Sequence, residues 1–171
     1  MGDGDSIEVE ALDRLAASGV SMLRTDRDKD ESDTELALLE ALEQGAAAIT
    51  VLGGLGGLRV DHALANVGLL EHPSLGERPA TIYDERATRI SVVRPPGRSA
   101  AGHEGDLVTL LPLGEAALGV TTEGLRYPLS DEPLEVGRTR GLSNVRLATE
   151  ARITLRTGRL LLIETPATVG P

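Results

Sequence analysis

The chain contains no cysteine, no tryptophan and no phenylalanine, and its aromatic residues are Tyr83 and Tyr127 alone. Without thiols, disulfides and thiolate zinc sites are excluded. No apolar run approaches the roughly 20 residues of a membrane-spanning helix. The first residues, Met1-Gly2-Asp3-Gly4-Asp5-Ser6, have neither the basic start nor the apolar stretch of a secretory signal. A soluble, cytoplasmic protein is expected. Basic residues are also few: 17 Lys and Arg stand against 27 Asp and Glu, a formal charge of −10, and Lys29 is the single lysine. That balance lacks the basic stripe of a nucleic-acid binder. It also means that an anionic ligand must be met by a metal ion or by local arginine.

What remains is enough for one domain or two small ones: 171 residues, 40% of them hydrophobic. The first half alternates helical and strand patterns. Ser6 is a candidate cap for a helix over 7–18, and 20–23 reads as a short buried strand. Asp33 or Thr34 is the candidate cap for a helix over 35–44, with Leu36, Leu39 and Leu42 at helical spacing. A strand over 46–52 ends in a glycine cluster. A helix over 59–70, with Leu64, Val67 and Leu70 at helical spacing, and a strand over 80–83 follow. Such alternation predicts a parallel sheet covered by helices. From Ala87 onward the pattern changes to short apolar runs at 90–93, 107–111, 118–121, 145–147, 153–155 and 160–163, punctuated by glycine and proline. This predicts an antiparallel β-sandwich or barrel. The expected organisation is an α/β domain over 1–86 and a β domain over 87–171.

Four constellations could carry chemistry. Asp3 and Asp5 place two carboxylates at i and i+2, where they can meet one hard cation; the plainer reading is a solvated acidic terminus. Lys29-Asp30-x-x-Asp33 lies in a loop between a strand and a helix, where ligands of open α/β sheets sit; the plainer reading makes Asp33 a helix cap. Gly53-Gly54-Leu55-Gly56-Gly57-Leu58-Arg59-Val60-Asp61-His62 is a glycine-rich turn between strand and helix. Glycines let a phosphate approach the backbone, the helix start adds positive potential, and Arg59 can clasp phosphate oxygens. It is neither a P-loop, lacking Gly-Lys-Ser/Thr, nor a dinucleotide fingerprint. Gly141-Leu142-Ser143-Asn144 offers donors and acceptors, and by itself reads as a β-turn.

In this order, the four pieces resemble the thiamine pyrophosphokinase family. The matching segments are Gly2–Ser6, Lys29–Asp33, Gly54–His62 and Ser143-Asn144, with Gly124-Leu125-Arg126-Tyr127-Pro128-Leu129 similar to a further bacterial motif. The resemblance implies diphosphate transfer from ATP to the thiamine hydroxyl, giving AMP. It implies magnesium held by Asp3, Asp5, Asp30 and Asp33, with catalytic roles for Asp30, Asp33 and Arg59. Gly54, Gly57, Arg59, Asp61 and His62 would then meet the nucleotide. Leu142, Ser143 and Asn144 would meet thiamine across a homodimer with shared active sites. Either Asp30 or Asp33 would orient or deprotonate the hydroxyl. The resemblance also implies a leading strand and turn ahead of the first motif, which these residues do not include, so the α/β domain is expected to be incomplete at its N-terminus. Two other readings compete: a non-catalytic thiamine-binding or dimerisation module, and a diphosphokinase for another hydroxymethyl heterocycle such as a pterin.

Overall fold

The computed structural model describes residues 8–21, 23, 28–56 and 59–169. Asp3, Asp5, Ser6 and Gly57 lie outside the described residues. The chain forms two compact units, Met1–Ile49 and Thr50–Pro171.

In the first unit, α1 spans Val9–Ala17 and α2 spans Asp33–Glu43. The cap of α2 is Ser32, not Asp33 or Thr34: its side chain accepts from the Glu35 backbone N–H at 3.2 Å. A hydroxyl at the N-cap reaches the N3 donor, and the serine stands one residue earlier than expected. Leu38 is the buried residue of α2, whereas Leu36, Leu39 and Leu42 are half-buried. Residues 20, 21 and 23 form no strand, and Val20 and Leu23 are exposed. The Val20 N–H instead donates back to the Leu15 carbonyl at 3.2 Å, closing the end of α1 rather than joining a sheet.

The second unit is built around two sheets. One has the strand order β1-β2-β3-β10-β5-β8 and the other β4-β9-β6-β7. The strands of the first are β1 (Ile49–Leu52), β2 (Ala80–Tyr83), β3 (Arg89–Val93), β10 (Leu160–Thr165), β5 (Leu107–Pro112) and β8 (Asn144–Val145). Those of the second are β4 (Gly97–Ala101), β9 (Glu150–Thr154), β6 (Ala117–Glu123) and β7 (Glu132–Leu134). Helix α3 (Val60–Gly68) and two short 3-10 turns connect β1 to β2. Pairing is parallel at this N-terminal end and antiparallel beyond it, as the expected fold class requires.

The run Leu160-Leu161-Leu162-Ile163 shows why the first sheet is apolar on both faces. Successive side chains of a strand point to opposite faces. Leu160 and Leu162 enter the core between the sheets, with Val93, Val108 and Leu110 from one side and Val120, Ala151 and Ile153 from the other. Leu161 and Ile163 pack on the opposite face with Leu70, Ile82 and Ile90, against which Val51 and Val67 also rest. A strand buried on both faces needs a continuous apolar run rather than alternation. Each such leucine contributes about 1.5–3 kcal/mol by leaving water. The first sheet runs unbroken from β2 through the turn 84–88 into β3, so its hydrogen bonds cross the expected 86/87 boundary.

Two strands were not expected, β4 and β7. Gly97-Arg98-Ser99-Ala100-Ala101 has no apolar alternation, and it is a strand because it pairs with β9 along its whole length.

Candidate functional site

The glycine turn leaves the C-terminal end of β1. Gly53 turns the chain at φ +73°, a conformation that glycine adopts without a Cβ penalty, and its N–H donates to the Tyr83 carbonyl at the end of β2. The side chain of Asn66, on α3, donates to the Gly54 carbonyl at 2.7 Å and so ties the turn to the helix. Between the ends of β1 and β2 lies a cavity of about 280 Å³ lined by Gly53, Leu55, Gly56, Asp84, Glu85 and Arg86. In open α/β sheets this is where ligands bind.

Arg59, Asp61 and His62 follow on the first turn of α3, all exposed. Arg59 grips Asp61 with both arms of its fork: Nε to Oδ1 at 3.0 Å and Nη2 to Oδ2 at 2.5 Å. The Arg59 hydrogen bonds hold the Asp61 carboxyl well below the usual carboxylate range, helped by the His62 backbone N–H. The same pairing raises the Arg59 pKa. The pair therefore stays ionised at any working pH. Asp61 fixes the orientation of the guanidinium at the start of a helix whose dipole already favours anions.

Of the acidic cluster, Asp30 and Asp33 are described. Asp33 is the first residue of α2 and accepts a hydrogen bond from the Lys29 ammonium; Asp30 is exposed in the preceding turn. Among the described residues no three His, Asp or Glu side chains converge on one metal position. Two carboxylates on one short loop remain a hard-oxygen donor set, and magnesium is commonly held by one or two carboxylates with substrate phosphates supplying the rest.

The segment 141–144 precedes and enters β8. Gly141 cannot carry a side chain, because a Cβ there would stand 2.2 Å from the Leu110 carbonyl oxygen. Ser143 adopts φ +54°, and its N–H donates to Thr109 Oγ1 at 2.9 Å. Leu142 and Ser143 are exposed. Asn144 is buried and serves the backbone: its Oδ1 accepts from the Tyr127 and Val145 N–H groups at 3.0 and 2.9 Å, and its Nδ2 donates to the Tyr127 carbonyl at 2.7 Å. It thereby clamps exposed Tyr127 beside Leu142 and Ser143, bringing together two motifs that are separate in sequence.

Asp84, Glu85 and Arg86 were not singled out in the sequence. Their position directly after a predicted strand was the available signal, since they line the mouth at a strand's C-terminal end. Asp84 Oδ1 accepts from the Arg86 and Thr88 N–H groups at 2.8 and 2.7 Å and so shapes that rim.

Comparison with known proteins gives a consistent picture. Residues 1–82 match the family described as thiamin pyrophosphokinase, catalytic domain, and residues 88–160 match thiamin pyrophosphokinase, vitamin B1 binding domain. The thiamine pyrophosphokinase of Bacillus subtilis is 27% identical over 164 residues, which is 95% of this chain and 75% of that protein. Thiamine pyrophosphokinase 1 of Arabidopsis thaliana is 28% identical, over 94% of this chain and 62% of its own length. The crystal structure of the Bacillus subtilis enzyme superposes with a TM-score of 0.85 at 26% identity, covering 96% of this chain and 76% of that one. That of the Geobacillus thermodenitrificans enzyme superposes with a TM-score of 0.83 at 28% identity, covering 98% and 77%. No helix among the described residues is long and apolar enough to cross a membrane.

Proposed function

Since the chain belongs to the thiamin pyrophosphokinase family, we propose that it moves a diphosphate group from ATP to the hydroxyl of thiamine, releasing AMP. The observation that carries this reading is the presence of both family regions, catalytic and vitamin-binding, in order on one chain. We assign residues 1–86 to the nucleotide and metal side and 87–171 to the thiamine side, and expect the protein to work in the cytoplasm.

Residues divide the work as follows. The cavity over Gly53 and Gly56 receives the nucleotide, whose phosphates meet Gly54, Gly57 and the first turn of α3. Arg59 clasps phosphate oxygens with a fork already oriented by Asp61, and His62 lies on the same turn. Asp30 and Asp33, with Asp3 and Asp5, would hold magnesium, which when bound neutralises phosphate charge in a protein of formal charge −10. One of Asp30 and Asp33 takes the thiamine hydroxyl proton as that oxygen attacks phosphorus, and Lys29 restrains the Asp33 carboxylate beforehand. Positioning and charge stabilisation carry most of such a transfer.

The thiamine side is Leu142 and Ser143, held beside Tyr127 by Asn144. Among the described strands, β1 and β8 are the two outermost of the first sheet. At a strand spacing of about 4.8 Å, the five intervals between them separate the glycine turn from Leu142 by roughly 24 Å. We infer that a second copy of the chain supplies Leu142, Ser143 and Asn144 to each site and that the working form is a homodimer, a reading that the wide separation of the two motifs within one chain supports.

Mixing two variants tests this. Arg59→Ala and Leu142→Arg, the latter placing a cation against a cationic substrate, should each be nearly inactive alone. After subunit exchange, half of the dimers are mixed and each contains one intact site, so about one quarter of native activity should return. Activity no higher than the sum of the separate variants would place the whole site within one copy and overturn the shared arrangement.

A further inference from the structure

A second polar cavity lies away from the glycine turn, between the two sheets. Register builds it. Thr81 pairs with Ser91, and Tyr83 with Arg89, across β2 and β3, so the four side chains share one face. Ser91 in turn pairs with Leu162, which places this face toward the interior of the sandwich. The polar end of the face is closed by β4 of the other sheet, from which Arg98 Nη2 donates to Ser91 Oγ at 2.5 Å. The resulting space measures about 150 Å³ and is lined by Thr81, Tyr83, Arg89, Ser91 and Arg98 together with the small residues 99–101.

Its electrostatics are unbalanced. No carboxylate lines the cavity. Arg89 is matched by Glu164, its directly opposite cross-strand partner, with two contacts of 2.7 Å. Arg98 has no carboxylate within ion-pair distance among the described residues. Burial lowers the Arg98 pKa, and the nearby Arg89 charge lowers it further, while Glu164 offsets part of this. Two guanidinium groups therefore face one small space, with hydroxyls of serine, threonine and tyrosine around them. An adjoining cavity of about 180 Å³ shares Tyr83, Arg89 and Ala101, but Asp106 and Glu164 face it, so an anion is favoured on the Arg98 side.

We propose that the cavity between Arg89 and Arg98 binds a small tetrahedral oxyanion of the phosphate class, at a site separate from the nucleotide turn. The volume is several times the roughly 30 Å³ share of a water molecule and below the roughly 300–1,000 Å³ of pockets for larger organic ligands. That fits orthophosphate or the head of a phosphomonoester. Guanidinium forks and hydroxyls are the donors that phosphate oxygens take.

The test is calorimetric titration of the whole chain with inorganic phosphate at low ionic strength, where weak charge pairing is least screened. The native protein should bind saturably. Arg98→Gln should weaken binding about tenfold or more, since a charge-assisted contact is lost, and should do so equally in an Arg59→Ala background, where the phosphate contact at the glycine turn has been removed. Arg98 is exposed, and an unaltered far-ultraviolet spectrum will confirm that its variant is folded. Repeating the titration with glycerol phosphate separates a free-ion site from a phosphomonoester site. Absence of saturable binding to the native chain would overturn the proposal. So would binding that survives Arg98→Gln but is lost in Arg59→Ala, which would place the ion at the glycine turn.

Discussion

Glu164→Ala should lower the unfolding free energy by about 3–5 kcal/mol, the usual cost of leaving a buried charge without its partner. Glu164 is buried and accepts from Arg89 Nε and Nη2 and from Arg146 Nη2, each at 2.7 Å. Arg146 is 0% exposed, and its guanidinium also donates from Nη1 to the Ala100 carbonyl at 2.6 Å, while its Nε has no partner among the described residues. Removing the carboxylate would strand that guanidinium between the sheets, with a second arginine beside it. Arg146→Met should cost less, because Glu164 keeps Arg89 and the methionine stem fills similar space. Urea unfolding of the three proteins checks both the size and the order. A loss below about 1 kcal/mol for Glu164→Ala would be the value of a solvated surface pair, not of a buried network.

The second large effect belongs to Arg59. Arg59→Ala should reduce kcat/KM for AMP release by about 10²–10³-fold, the loss seen when one preorganised donor to a developing charge is removed. Arg59→Lys should recover little of it, because an ammonium cannot reproduce the bidentate fork that Asp61 holds. Neither change should alter stability appreciably, since the side chain is exposed. The depressed Asp61 carboxyl stays ionised from acid to neutral pH, so the pH profile should show no inflection from this pair. Steady-state rates for the three proteins, with folding checked separately, test it. An Arg59→Ala enzyme within threefold of native would remove Arg59 from the reaction.

Several elements were legible because local chemistry specified them. Strand β2 was bounded correctly at Ala80–Tyr83, the apolar runs that became β3, β5, β6 and β10 were marked within two residues, and the run at 153–155 caught only the end of β9. The glycine turn and Arg59 were legible because glycines between a strand and a helix have few other uses. Strand β4 was not, because its small and polar residues have no pattern of their own, and a neighbouring strand makes it one. Leu38 was missed for a related reason: the expected stripe at 36, 39 and 42 gave the helical period correctly but not the face buried most deeply. The Arg89–Glu164–Arg146 network joins residues 75 and 18 positions from the glutamate, and only strand register brings them together. Asn144 shows the opposite case. Its motif was visible, but its side chain is spent holding the Tyr127 backbone, so the exposed groups near it are Leu142 and Ser143.

The central claim is the reaction itself, and its products decide it. The chain should be incubated with magnesium, ATP and thiamine, and the nucleotide and vitamin products separated chromatographically. The account predicts AMP and thiamine diphosphate in equal amounts, with AMP formation dependent on thiamine. Production of ADP with thiamine monophosphate, or saturable thiamine binding without any AMP, would contradict it.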